Sequence, residues 1–160
     1  MNKAASTRQN SKLRQIRAAL ANIPFDSLLG IDIARTHSDG VTLRCKVKRE
    51  LLNKSGALHG GVTATLADAA VGFAIHYRFG GKRRISTVEL KVNYFRPVVD
   101  GVVFARARLL RVGSTLCVGR VDLTDDRGNA VGTAIATYIF LDARAAGSES
   151  VIAHEDRKRS

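Results

Sequence analysis

At 160 residues and 45% hydrophobic content, the chain is sized for one domain with a real core, and no apolar run approaches the roughly 20 residues that span a bilayer. No apolar segment of the secretory-leader kind follows the N-terminal charges, so no membrane insertion is expected. The net charge of +12 lies partly in the ends: Lys3, Arg8, Lys12, Arg14 and Arg17 in an acid-free start, and Arg157-Lys158-Arg159 at the close. Such a balance suits an acidic partner, but neither a helix-turn-helix pattern nor an aromatic-rich RNA motif accompanies it, so no nucleic-acid partner is expected. Cys45 and Cys117 stand far apart, without metal-ligand spacing. Neither a disulfide framework nor a metal site is expected, and a reducing cytoplasm fits the chain.

Taken in order, Leu13, Ile16, Leu20 and Ile23 recur at helical spacing, which predicts an amphipathic helix on one edge of the domain; Pro24 ends that pattern. Residues 31–37 read as a strand, Ser38-Asp39-Gly40 as a turn, and Val41 to Val47 as a second strand. There Val41, Leu43, Cys45 and Val47 alternate with Thr42, Arg44 and Lys46, the pattern of an antiparallel strand with one wet face. Residues 59–78 form the one long internal helix, with Val62, Leu66, Ala69, Phe73 and Tyr77 on one stripe. Thr65, Asp68, Ala69 and Gly72 run along its flank, where small residues leave room beside the acid. After the Gly80-Gly81 turn come strands over 85–95, 102–112, 115–124 and 130–141. In the first of these Val88, Leu90, Val92 and Tyr94 alternate with Glu89, Lys91 and Asn93. Asp125 to Asn129 reads as a hairpin turn. The order predicts an α+β domain over 24–142, a buried helix against one antiparallel sheet. A basic, partly helical extension (1–23) and a polar tail (143–160) flank it.

The chemistry concentrates in Asn53 to Asp68. A polar loop leads through Leu58-His59-Gly60-Gly61 into the helix. Glycine lets the backbone approach a ligand, and the free N–H groups of the first turn favour negative charge. Asp68 lies among Leu66, Ala67, Ala69, Ala70 and Val71, where an acid is costly without a partner or a task. Backbone donors for a developing oxyanion plus a carboxylate are what acyl transfer or hydrolysis requires.

With Pro24-Phe25 and Leu29-Gly30, Asn53 to Asp68, Val88 to Tyr94 running into Arg96-Pro97, and the Gly113-Ser114-Thr115 turn, the chain resembles hotdog-fold acyl-CoA thioesterases of the phenylacetate-pathway (PaaI-like) type over residues 24–141. The resemblance implies a long central helix wrapped by a single antiparallel sheet. It implies hydrolysis of an aryl or medium-chain acyl-CoA to free acid and CoA, with no metal or redox cofactor. It places the nucleophile or general base on Asp68 and the oxyanion donor on the Gly60 N–H. Asn53 then positions water or thioester, His59 orients the loop or touches the thioester sulfur, and Thr87 steadies the water. Gly61, Gly113 and Ser114 are expected along the substrate. Lys82-Arg83-Arg84 and Arg96 are basic enough to meet CoA phosphates, with Arg111 a weaker candidate.

Spacing adds a separate point. Gly60 and Asp68 are eight residues apart, about 12 Å along one helix, too far for one carbonyl to reach both. A two-fold dimer with antiparallel helices brings Gly60 of one chain beside Asp68 of the other. The resemblance implies the same homodimer, paired again into a homotetramer. A non-catalytic acyl-CoA-binding protein on this fold is the alternative, against which Asp68 and Asn53 argue. A hotdog dehydratase needs an Asp and His within a hydratase motif, and none is found.

Overall fold

The computed structural model describes residues 13, 14, 16–18 and 22–141. The C-terminal tail and most of the N-terminal extension lie outside the described residues. The described part of the extension is helical; Ile16 is buried in the core and Arg17 Nη2 donates to the Ile33 carbonyl at 3.4 Å. That fits a helix covering one edge.

Pro24 does more than end a pattern: it opens a short helix, α1 (Pro24–Leu29). At the first helical position its missing N–H costs nothing and its fixed φ suits the turn. Gly30, at φ 72°, closes α1 in the left-handed region, with its N–H on the Ser27 carbonyl at 3.1 Å. Strands β1 (Ile31–His37) and β2 (Gly40–Lys46) follow as a hairpin. In β2, Val41, Leu43 and Cys45 are fully buried while Arg44 and Lys46 are exposed, as the alternation predicts. A 3-10 turn (Arg49–Leu51) leads to the central helix α2 (Gly60–Phe79). Then come β3 (Ile85–Tyr94), β4 (Val102–Val112), β5 (Leu116–Asp125) and β6 (Ala130–Phe140).

The strands form one antiparallel sheet in the order β1-β2-β4-β5-β6-β3. α2 packs on one face of it, through Leu66, Ala67, Ala70, Val71, Ala74 and Ile75, all essentially inaccessible. The buried face is therefore broader than the expected stripe, and Ala69 and Tyr77 are only partly buried. A sheet curled around a helix covers more than one side of it. Alanines carry the closest approach, and Gly119 on β5 helps: a Cβ there would stand 2.6 Å from Val71 Cγ1.

β3 departs from the expected alternation. The ladder to β6 shifts register between Thr87 and Glu89, which makes Val88 a bulge residue, 59% exposed. The bulge changes phase, so Thr87 turns toward the helix although Leu90 and Val92 also face inward. Among the described residues no further strand pairs beyond β3. Tyr94 and Phe95 at its end are 54% and 58% exposed. A ten-residue open edge with apolar side chains is a surface that proteins ordinarily cover.

Candidate active site

Of the clefts beside α2, one at its N-terminus holds Gly60 and one at its middle holds Asp68. The first is built by local backbone geometry. Asn53 Oδ1 accepts from the Ser55 N–H at 2.9 Å and the Ala57 N–H at 3.2 Å, and the Asn53 N–H donates to the Ala57 carbonyl at 2.7 Å. The loop is thus wound around the Asn53 side chain, as Asx turns are. His59 caps α2: its Nδ1 accepts from the Gly61 N–H at 3.0 Å, and its carbonyl accepts from Val62 at 2.9 Å and Thr63 at 3.4 Å. Accepting at Nδ1 puts the ring proton on Nε2. His59 therefore satisfies three of the four N–H groups of the first turn. The Gly60 N–H is left without an acceptor among the described residues. Tyr94 Oη donates to the Gly60 carbonyl at 2.9 Å and steadies this turn. Gly60, Asn53, Thr63, Tyr94, Arg96 and Pro97 share a cleft of about 210 Å³.

The second cleft, about 400 Å³, holds Asp68 together with Asp26, Thr65, Ala69, Gly72, Phe73, His76, Leu90 and Tyr138 among its lining residues. The small flank of α2 leaves the room that the sequence suggested. Thr87 Oγ1 lies 3.1 Å from both carboxylate oxygens of Asp68 and donates to them. Tyr138 Oη lies 2.8 Å from Asp68 Oδ1 and 2.8 Å from the Asp68 carbonyl, so its one proton serves either. Thr87 and Tyr138 are direct cross-strand partners on β3 and β6, and deliver their hydroxyls side by side. Gly72 admits the phenol, since a Cβ there would stand 3.1 Å from Tyr138 Oη. Burial first, and then the Asp68 charge, push the Tyr138 pKa far above its usual range, so the phenol remains a donor.

Asp26, on α1, is 6% exposed. Burial raises its carboxyl above the ordinary range, and the Asp68 charge adds to the shift. Burial lowers the His76 pKa. Tyr138 and Asp26 were not singled out in the sequence. Tyr138 is the one hydroxyl-bearing residue in the inward series Ala134, Ala136, Tyr138, Phe140, which is a usable signal. Asp26 offered only an acid inside the apolar segment Pro24 to Leu29.

The candidate phosphate contacts fall in two groups at opposite ends of α2. Arg96 lines the Gly60 cleft. Arg83 lies beyond the other end, 4.0 Å over the Phe140 ring and 5.6 Å from the Phe79 centroid. Its Nη2 donates to the Ser114 carbonyl at 3.4 Å. Gly113 closes the adjoining hairpin through its N–H to the Leu116 carbonyl at 2.8 Å. Arg83 is thus engaged in packing, while Arg84 beside it is exposed, as is Gly61 at the helix start. Among the described residues no group of three or more His, Cys, Asp or Glu is placed to hold a metal ion, and no helix is long and apolar enough to cross a membrane.

The chain has known relatives. The thioesterase superfamily matches residues 55–131. Acyl-coenzyme A thioesterase 13 of Mus musculus is 32% identical over 116 residues, which is 71% of this chain and 82% of that protein. The medium/long-chain acyl-CoA thioesterase YigI of Escherichia coli K12 is 28% identical over 133 residues, covering 74% of this chain and 86% of the relative. In structure, the E. coli PaaI protein from the phenylacetic acid degradation operon superposes with a TM-score of 0.76 over 84% of this chain and 96% of its own; at 19% identity it speaks to the fold alone. The chain belongs to the thioesterase superfamily, and is a thioester hydrolase on a hotdog fold.

Proposed function

We propose that the chain hydrolyses an acyl-CoA thioester to the free acid and CoA. The observation that carries this reading is the pairing on one helix of a carboxylate held by two hydroxyls with a first-turn N–H left open. Asp68 either attacks the thioester carbonyl carbon or takes the proton of a water that attacks it. Thr87 and Tyr138 hold the carboxylate in place for both. The carbonyl oxygen becomes an oxyanion bonded to the Gly60 N–H. Collapse expels the CoA thiolate, which takes up a proton, and water supplies the acid's second oxygen. No step calls on a metal ion or redox cofactor. Asn53 and His59 act through the loop and cap that leave the Gly60 N–H open. Arg84 and Arg96 are the exposed guanidinium groups for the CoA phosphates, with Gly113 and Ser114 lining the path.

The site spans two chains in this reading. Within one chain the Gly60 N–H and the Asp68 carboxylate open into different clefts. Pairing of two β3 edges about a two-fold axis continues the sheet, covers Val88 and sets two α2 helices antiparallel. Each Asp68 then meets the partner's Gly60. Two such dimers form the homotetramer. Cys45 and Cys117, buried and unpaired, suit the cytoplasm. The test is a panel of aryl and aliphatic acyl-CoA thioesters with thiol release as readout. Turnover of at least one is expected; binding of acyl-CoA without turnover of any would overturn the reading in favour of a non-catalytic role.

A further inference from the structure

Strand β3 meets α2 at two points. Its Thr87 donates to the Asp68 carboxylate at 3.1 Å, and its Tyr94 Oη donates to the Gly60 carbonyl at 2.9 Å. The two residues are an odd number of positions apart, which on a regular strand sends side chains to opposite faces. The extra residue at the Val88 bulge restores the phase, so one strand reaches both Asp68 and Gly60.

The contact at Gly60 is close. A Cβ on Gly60 would stand 3.5 Å from Tyr94 Cζ and Oη, so the ring lies against bare glycine backbone. The bond falls on the peptide group that joins Gly60 to Gly61. Tyr94 holds its carbonyl, and His59 Nδ1 holds its N–H at 3.0 Å. Two successive glycines give the start of a helix wide conformational freedom. Pinning that peptide group at both poles restricts the torsions of Gly60, and with them the direction of the Gly60 N–H. An oxyanion donor is most effective when its direction is set before charge develops. Tyr94 also lines the cleft that Gly60 shares with Arg96.

We infer that Tyr94 is a positioning residue for the oxyanion donor, and that β3 serves two different active sites at once. The inference rests on the thioesterase reading and its two-chain site. In such a dimer the Gly60 turn held by Tyr94 faces the partner's Asp68. Thr87 on the same strand holds the Asp68 that faces the partner's Gly60. Each β3 strand therefore steadies the donor of one site and the carboxylate of the other. Tyr94 acts on the chemistry through the Gly60 peptide and not by touching the reacting atoms.

The first measurement is steady-state kinetics of Tyr94→Phe on the best thioester of the panel. The variant keeps the ring against Gly60 and lacks only the hydroxyl. Its kcat is expected to fall about 10-fold, with KM within about twofold of wild type. A packing role alone would lower the Tm and leave kcat of the folded enzyme unchanged, and thermal unfolding reads that difference. The second measurement refolds Tyr94→Phe chains with an equal amount of a second variant, mixed dimers being verified by mass. With Asp68→Asn each mixed dimer has one intact site, so turnover is expected to reach about one quarter of wild type, against about one twentieth for the unmixed parents. With Gly60→Pro no rise is expected, because each site of the mixed dimer then carries a damaged donor. Thr87→Val is expected to give the crossed result, recovering with Gly60→Pro and not with Asp68→Asn. A Tyr94→Phe kcat within about twofold of wild type overturns the inference and leaves the thioesterase reading standing. Recovery of Tyr94→Phe with Gly60→Pro in place of Asp68→Asn, or with neither, does the same. A wild type that turns over no thioester in the panel overturns both.

Discussion

The two clefts along α2 are built in opposite ways. At the Gly60 cleft the loop and helix cap are made by neighbours: Asn53 bonds to Ser55 and Ala57, and His59 bonds to Gly61, Val62 and Thr63, while Tyr94 and Arg96 supply a distant wall. The Asp68 cleft is made by distant residues: Thr87 comes from 19 positions away and Tyr138 from 70. One presents a backbone donor whose position follows from helix capping. The other presents a side chain whose position depends on a sheet closing around it. Damage at the first is therefore expected to act through loop and helix geometry, and damage at the second through orientation of one carboxylate.

Substitutions at the second cleft carry the largest effect. Asp68→Asn keeps size and removes the attacking or proton-accepting charge. Turnover is expected to fall on the order of 100-fold or more, with unchanged thermal unfolding. A variant within about threefold of wild type on the best substrate would remove Asp68 from the chemistry. Tyr138→Phe sharpens the contrast, because it deletes one bond to Asp68 and nothing from the Gly60 turn. About a 10-fold loss in kcat is expected with KM little changed, read by steady-state kinetics. Equal loss in kcat for a folded variant lacking only the remote Arg84 side chain would blur that distinction.

The basic turn is expected to respond in KM alone. Arg84→Ala should raise KM for acyl-CoA several-fold and leave a short acyl-pantetheine, which has no nucleotide, unaffected. Raised salt should mimic the change for the CoA substrate only. Arg83→Ala differs, because it removes a guanidinium stacked on Phe140, and a lowered Tm is its expected mark.

The smallest effect is on stability. The Asp26 carboxyl is held above the usual carboxylate range, so the native state keeps this proton to higher pH than the unfolded chain does. Stability from this group is full below about pH 4 and declines as pH rises through the native pKa. Asp26→Asn removes the decline. Its Tm is expected to exceed wild type at pH 7 and to match it near pH 3.5, as calorimetry at the two pH values would show.

What could be read in the sequence divides along the same line. The β2 alternation, the long helix, its small-residue flank and the His59-Gly60 start are all local patterns, and the structure has them. The Val88 bulge is a property of the β3–β6 ladder, and no period along β3 alone announces it. Tyr138 reaches Asp68 only because β6 packs beside α2, and Asp26 comes to the same cleft only through the fold. Arg83 reads as one of three exposed cations until the fold sets Phe140 beneath it. Pro24 was legible as punctuation, yet whether it ends or opens a helix depends on Gly30 and the packing of Leu29.

The central claim, that Asp68 of one chain works with Gly60 of its partner, is tested most directly by mixing two inactive variants. Asp68→Asn removes the carboxylate. Gly60→Pro removes the N–H at the first helical position, where proline is well tolerated. His59, at φ −61° and ψ 133°, already has the extended backbone that a following proline requires. Unfolded together at equal amounts and refolded, the chains form half mixed dimers, each with one intact site of two. Recovery to about one quarter of wild-type turnover is expected. Mixed dimers, verified by mass, with no activity above either parent would contradict the account.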